Sequence, residues 1–297
     1  KFDESRVKEW NILMYKGLAP EKTKNKLYPE LYTYKYPKAG EKNSIVSVHI
    51  YDLKSDETTE VDVGPETDQY IPRIRWTQDP EVLSVFRLNR LQNYFEILLA
   101  DAQTGETEVM YDEKNKYFID EKYFDDIRYL PDGEHFIIMS EMEGYAQLYL
   151  YNTDGERVEK LTKGEYDVTN YIGYNADDKQ VYYQAAAKSP LRREVYVVAT
   201  DGDNPTQISP ATGSNRDLFS EGFQYFINYF SSAGKPPHIT LHNENGKEIR
   251  VLEDNEALKE RLGKYKHTER EFFTFETAQG TTLHGWMVKP VDFDASR

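Results

Sequence analysis

Cysteine is absent from the 297 residues, which removes disulfides, thiolate metal sites and cysteine nucleophiles together. Basic charge is scarce: 37 Lys+Arg stand against 52 Asp+Glu, a net charge of −15. Phosphate backbones and anionic lipid are both held by basic patches, so neither a nucleic acid nor a membrane surface suits this chain as a partner. No apolar run approaches the ~20 residues that a membrane helix needs. The opening Lys1-Phe2-Asp3-Glu4-Ser5 lacks the basic and then apolar stretches of a signal peptide. An initiator methionine is missing too, and the text opens as if in mid-domain, so it reads as a piece of a longer protein. Methionine is sparse at 5, whereas tyrosine reaches 24 and phenylalanine 14. Aromatic residues fit pleated, half-buried surfaces, and tyrosine can bury its ring while wetting its hydroxyl, so the balance favours strands.

One pattern recurs along the chain. An alternating strand runs into Asp or Asn, a short polar turn follows, and a second strand begins. The copies are Val46–Asp52, Tyr94–Asp101, Gln147–Asn152, Glu194–Thr200 and Ile239–Asn243. Their last positions, 52, 101, 152, 200 and 243, are spaced by 49, 51, 48 and 43 residues. Several units carry a further strand pair upstream, as at Ile127–Leu130 before Pro131-Asp132-Gly133. Four antiparallel strands in roughly 40–50 residues is the pattern of a propeller blade, which buries its faces only against neighbouring blades. An all-β chain of about four to five four-stranded blades is therefore expected, in preference to a β-sandwich or β-solenoid.

The ends depart from the repeat. Residues 1–40 read as an extended hairpin arm: Trp10–Tyr15, a basic loop through Pro20 and Lys22 to Lys26, then Leu31–Tyr36 with Tyr32, Tyr34 and Tyr36 on one face. Residues 41–255 hold the blades. Residues 256–297 begin with a short helix, Glu256–Leu262, with Asp254 or Asn255 as its cap and Gly263 at its end. A hairpin over Glu271–Phe275 and Leu283–Val288, turning at Gln279-Gly280, belongs to no blade and looks like the start of a following domain.

Chemistry is sparse. No serine has a glycine two residues before and two after, and no phosphate-binding or dinucleotide-binding glycine pattern occurs. His238 and His242 are four apart in a segment that prefers strand, where the rings stand roughly 13 Å apart, too far to share a metal. The pairs Asp125-Asp126 and Asp177-Asp178 have the residue type of acid/base carboxylates, but lie beside blade turns, where aspartate bonds its own backbone. Arg87, Arg90 and the stretch Asn89–Tyr94 interrupt a blade strand, and a salt-bridged strand is the preferred reading. No metal or cofactor is expected.

Several ordered segments resemble the dipeptidyl peptidase IV family of prolyl-oligopeptidase-like serine peptidases. They are Phe2-Asp3-Glu4-Ser5-x-Val7, Tyr36-Pro37-Lys38-Ala39-Gly40-Glu41-x-Asn43, Arg87–Tyr94, Glu143-Gly144-Tyr145, Leu161–Gly164 and Arg250–Asn255. The resemblance implies the second half, roughly blade four onward, of an eight-bladed propeller followed by an α/β-hydrolase domain. It implies removal of N-terminal X-Pro or X-Ala dipeptides by a Ser-Asp-His triad lying beyond Arg297, with the glutamate pair that grips the substrate amine before Lys1. On that basis this segment is expected to be catalytically inactive alone. Tyr123 and Phe124 are the candidate substrate-binding residues, although the arginine that accompanies such an aromatic in the family has no counterpart in Lys122-Tyr123-Phe124. The arm, with Trp10, Tyr32 and Tyr34, resembles the family's homodimerisation element. The implied partners are a peptide with a free N-terminus, a second copy and the chain's own hydrolase domain, and the implied location is periplasmic or at a bacterial cell surface. The competing readings are a stand-alone propeller module that binds a protein or glycan, and a purely structural dimerisation unit.

Overall fold

The computed structural model describes residues 1–15, 29–210 and 212–296. The expected basic loop of the arm, Pro20 and Lys22 to Lys26, lies outside them. Contacts divide the chain into two compact units, Lys1–Asp125 and Asp126–Arg297.

In the first unit, β1 (Phe2–Asp3) is followed by the arm hairpin, β2 (Glu9–Met14) and β3 (Glu30–Lys35), and then by β4 (Ile45–Val46), β5 (His49–Asp52) and β6 (Glu57–Glu60). A four-stranded antiparallel sheet completes it: β7 (Gln69–Trp76), β8 (Val82–Asn89), β9 (Tyr94–Asp101) and β10 (Thr107–Lys114), each bonded to the next in sequence. The first copy of the repeat is thus built differently from the others. Its stretch 45–52 is shared half by half: β4 pairs with β1, and β5 pairs with β6. The pairing with the chain start runs on as Ser47 N–H donates to the Lys1 carbonyl at 3.0 Å, while Val61 N–H extends the other side by donating to the Val48 carbonyl, also at 3.0 Å.

The second unit repeats one design three times. The first sheet is β11 (Arg128–Tyr129), β12 (His135–Ser140), β13 (Gln147–Asn152) and β14 (Arg157–Lys160). The second is β15 (Val168–Asn175), β16 (Gln180–Ala185), β17 (Glu194–Ala199) and β18 (Thr206–Gln207), and the third is β19 (Ser214–Phe219), β20 (Tyr225–Ser232), β21 (Lys235–Asn243) and β22 (Glu248–Glu253). After them come α1 (Glu256–Leu262) and the hairpin of β23 (Glu271–Glu276) with β24 (Thr282–Met287). At α1, Asp254 rather than Asn255 serves the helix start: its Oδ1 accepts the Glu256 N–H at 3.0 Å, while the Asn255 amide donates to the Pro237 carbonyl.

The Asp or Asn that ends each repeated strand has a physical task. Asp101 Oδ1 accepts the amides of Gln103 and Thr104, Asp52 Oδ1 those of Lys54 and Ser55, and Asn152 and Asn243 accept the amides of Glu156 and Lys247. These side chains close the turn between strands in place of a backbone partner. In the fourth copy the task passes one residue on, to Asp201, which accepts the Asp203 amide. Gly105 illustrates why glycine follows: its φ is +75°, and a Cβ would stand 2.1 Å from the Glu60 carbonyl oxygen.

Sheets bury their faces against one another. In the first unit Val48 and Val61 pack with Leu83, Val85, Leu98 and Ala100 of β8 and β9. In the second, Tyr182 and Val195 pack with Ile208 and Phe226, the last on the neighbouring sheet. Middle strands such as β12 and β13 are buried on both faces almost throughout, whereas the outer strand β22 is exposed at every residue.

Candidate functional site

Segments far apart in sequence meet in the first unit. The turn after β8 is closed by Asn89, whose Oδ1 accepts the amides of Asn93 and Tyr94 at 2.9 and 3.0 Å, with Gln92 in the left-handed region at φ 55°. That turn presents Arg90. Its Nη1 donates to the Tyr70 hydroxyl at 2.8 Å and its Nη2 to the Glu41 carbonyl at 3.2 Å. Asn43, two residues on, accepts Arg6 Nε on its carbonyl at 2.7 Å, and Lys8 pairs with the Glu41 carboxylate at 2.8 Å. The opening segment, the Tyr36–Asn43 segment and the Arg87–Tyr94 strand are therefore tied together.

Arg87 is a strut within the sheet. It pairs with Glu96 at 2.8 Å and donates to the Val63 carbonyl at 2.9 Å, while Tyr94 donates to the other Glu96 oxygen at 3.1 Å. This agrees with the salt-bridged strand preferred from sequence.

Beside these ties lies a cleft of about 660 Å³. Glu4, Asp120 and Glu121 line it against a single cation, Lys35, and Tyr70 and Phe118 supply aromatic surface. Burial works against the Asp120 carboxylate, but hydrogen bonds from Lys122 hold it below its ordinary range. The same pairing, led by the Asp120 hydrogen bond, pushes the Lys122 ammonium up. Carboxylates on an aromatic wall suit a cationic group such as an amine.

Tyr123 and Phe124 sit on the 3-10 turn Glu121–Asp126, whose first residue lines this cleft. Both are buried, at 7 % and 2 % exposure. Phe124 stacks on Phe95 with ring centroids 4.2 Å apart and meets Phe86 edge-on, while Lys122 Nζ lies 4.6 Å from the centre of the Tyr123 ring. Asp125 is clamped by Arg73, at 2.6 and 2.9 Å. Asp177 and Asp178 bond Asn175 within their turn. His242 lies on β21, where its Nδ1 donates to the Gly246 carbonyl at 3.0 Å and the ring stacks on Phe226. Among the described residues no group of three or more His, Asp or Glu side chains is placed to hold a metal ion.

On the arm, Trp10 faces Tyr34 and Ile12 faces Tyr32 across the strand pair. Tyr32, Tyr34 and Tyr36 form a ladder with ring centroids 5.6 and 5.9 Å apart, and Lys38 Nζ sits 3.5 Å from the centre of the Trp10 ring. Trp10, Ile12, Leu13, Leu31 and Tyr32 are exposed.

The family described as "Dipeptidyl peptidase IV (DPP IV) N-terminal region" matches residues 1–237. The chain belongs to this family. The crystal structure of Porphyromonas gingivalis dipeptidyl peptidase 4 is 40 % identical with a TM-score of 0.90, over 100 % of this chain and 41 % of that one. Dipeptidyl peptidase 4 of Arthroderma otae is 27 % identical, covering 99 % of this chain and 39 % of the relative, and that of Trichophyton rubrum is 26 % identical over the same shares. The chain thus spans about two fifths of the relatives it matches, and its four-stranded sheets are blades of the dipeptidyl peptidase IV propeller region. Sequence reasoning singled out Arg87 and Arg90 but not Tyr70 or the cleft carboxylates Glu4, Asp120 and Glu121, because only the fold brings residues 4 and 70 beside 120 and 121.

Proposed function

We propose that this chain is the non-catalytic propeller portion of a serine exopeptidase that removes X-Pro and X-Ala dipeptides from peptide amino termini. The match to the Porphyromonas gingivalis enzyme over the whole of this chain, at 40 % identity, is the observation that supports this reading most. In such an enzyme a propeller contributes by positioning: binding energy from remote parts of the peptide holds the scissile bond near the nucleophile, which the hydrolase domain supplies. The acidic cleft of the first unit fits that role by its charge. Tyr123 is the member of the Tyr123-Phe124 pair that packs on the substrate, and Phe124, stacked on Phe95, anchors the turn from behind. The arm, through Trp10, Tyr32 and Tyr34, joins two copies of the chain, since exposed aromatics are enriched where proteins associate. The family resemblance favours a periplasmic or cell-surface location, and no helix among the described residues is long and apolar enough to cross a membrane.

The test uses Gly-Pro and Ala-Pro chromogenic substrates. The full-length protein should turn them over and the purified 297-residue chain should not. Turnover by the chain alone that a serine-directed inhibitor blocks would overturn this assignment of roles.

A further inference from the structure

A second cleft, also of about 660 Å³, lies in the second unit and has the opposite character. Arg192 and Arg270 line it together with Ser214, Ser231 and Ser232, and Phe272 adds an apolar patch. The arginine ion pairs among the described residues belong to Arg73, Arg87, Arg90 and Arg157. Arg192 and Arg270 stand outside them, in a chain whose net charge is −15. Arg270 lies 4.9 Å from the centre of the Trp286 ring, an arrangement that steadies a guanidinium while leaving its N–H edge open.

The Arg192 wall is built in advance. The Arg192 amide donates to the Ser189 carbonyl at 2.9 Å and the Leu191 amide to the Ser189 hydroxyl at 3.2 Å. Next to them the Arg193 amide donates to the Gly213 carbonyl at 2.7 Å, which pins the loop to the start of β19. Arg193 turns its guanidinium back, with Nη1 donating to the carbonyls of Pro190 and Arg192. Gly213 has no room for a side chain, since a Cβ would stand 2.4 Å from the Phe230 ring. The neighbouring acid, Glu194, is fully buried. Burial pushes its carboxyl up, toward the neutral form, against the pull of the Gly213 amide and of Arg192, Lys188 and Arg193.

We propose that this cleft is an oxyanion-binding site, in which the two guanidinium groups and the serine hydroxyls take a carboxylate borne by an acidic peptide. A planar guanidinium matches the two oxygens of a carboxylate in a way that lysine does not, and the Phe272 patch gives the peptide an apolar contact. Inorganic phosphate carries the same chemistry and would use the same donors. The claim concerns binding alone and stands apart from the peptidase assignment.

Isothermal titration of the full chain tests it with three probes: a blocked acidic dipeptide (acetyl-Asp-Phe-amide), its Asn counterpart, and inorganic phosphate. The acidic dipeptide should bind, more weakly as salt rises, and the Asn form should not. Arg192→Gln and Arg270→Gln should each weaken binding about ten-fold or more, while Arg250→Gln, a charge-matched change on exposed β22, should not. Arg192→Lys keeps the charge and loses the fork, so it should also weaken binding and carries the test if Arg192→Gln fails to fold. Phosphate binding with the same arginine dependence but no peptide binding would support the oxyanion site and name free phosphate as the source. No binding by either anion, or affinity indifferent to both arginines, overturns it.

Discussion

The sheet β11–β14 and the arm hairpin β2–β3 are made of similar text and meet opposite fates. Both pair strands rich in large apolar residues, and both carry several tyrosines. In β12 and β13 nearly every residue is buried, whereas β2 is exposed throughout. Period two decides which residues share a face; it does not decide whether anything covers that face. Burial in the blades comes from sheet stacking on sheet, and a two-stranded hairpin has too little surface of its own to supply it.

Core truncation should break the symmetry between the two most sharply. Phe136 is fully buried on β12, stacked on Tyr151 with centroids 5.5 Å apart. Phe136→Ala should cost about 3–5 kcal/mol, read as a lower midpoint in urea unfolding. Tyr32→Ala on the arm should stay within about 0.5 kcal/mol in dilute protein. Equal losses would mean that the arm is packed in solution.

Ion pairs sharpen the same contrast at smaller scale. Arg87–Glu96 is mostly buried, with side-chain exposures of 21 % and 11 %, whereas Lys8–Glu41 stands at 73 % and 43 %. Glu96→Ala strands both Arg87 and the Tyr94 hydroxyl and should cost about 1–3 kcal/mol. Glu41→Ala leaves the carbonyl that Arg90 uses in place and should cost about 0–1 kcal/mol. Thermal unfolding of the two variants side by side measures the difference.

A third effect separates the blade interior from the arm by pH. Asp217 on β19 accepts a 2.6 Å hydrogen bond from Asn228 on one oxygen and has no partner on the other. Burial pushes its carboxyl up to about 7 against the pull of Asn228. Between pH 4 and 7 the folded state then keeps a proton that the unfolded state has lost, so stability falls as pH rises through that window. The slope is at most about 1.4 kcal/mol per pH unit for one such group, and Glu194, also pushed up by burial, acts with the same sign. Carboxyls held low, such as Glu143 beside Lys160 and Arg157, contribute stability that is lost as pH falls below the usual carboxylate range. Urea titrations at pH 4.5 and 7 should show the decline, and Asp217→Asn should flatten it. A wild-type profile that rises across the window would contradict the assignment.

What was legible in the sequence was what is local. The Asp or Asn at or just after the end of each repeated strand closes its own turn within four residues, so the copies announced themselves. The split of the first unit was not legible, because it depends on Lys1 pairing with Ser47 across 46 residues. Arg192 and Arg270 left no pattern either: nothing in the text between them says that they line one cleft. The placement of Tyr123 and Phe124 in a turn was also beyond reach, since the turn is held by a stack on Phe95 in another strand.

The smallest effect on stability should accompany the clearest effect on mass. Leu13 and Leu31 lie opposite one another on the arm face that also carries Asn11 and Thr33, and both are exposed, at 57 % and 64 %. The other face presents the Trp10–Tyr34 and Ile12–Tyr32 pairs. If two copies associate through the arm, a charge at either face must be desolvated without a partner, a cost of several kcal/mol against the dimer and almost none against the monomer. Leu13→Glu and Tyr32→Glu should therefore each convert a dimer to a monomer in sedimentation or light scattering while the melting temperature of the monomer stays where it was. A wild-type chain that is monomeric at every concentration, or variants that remain dimeric, would place the exposed aromatics of the arm in some role other than self-association.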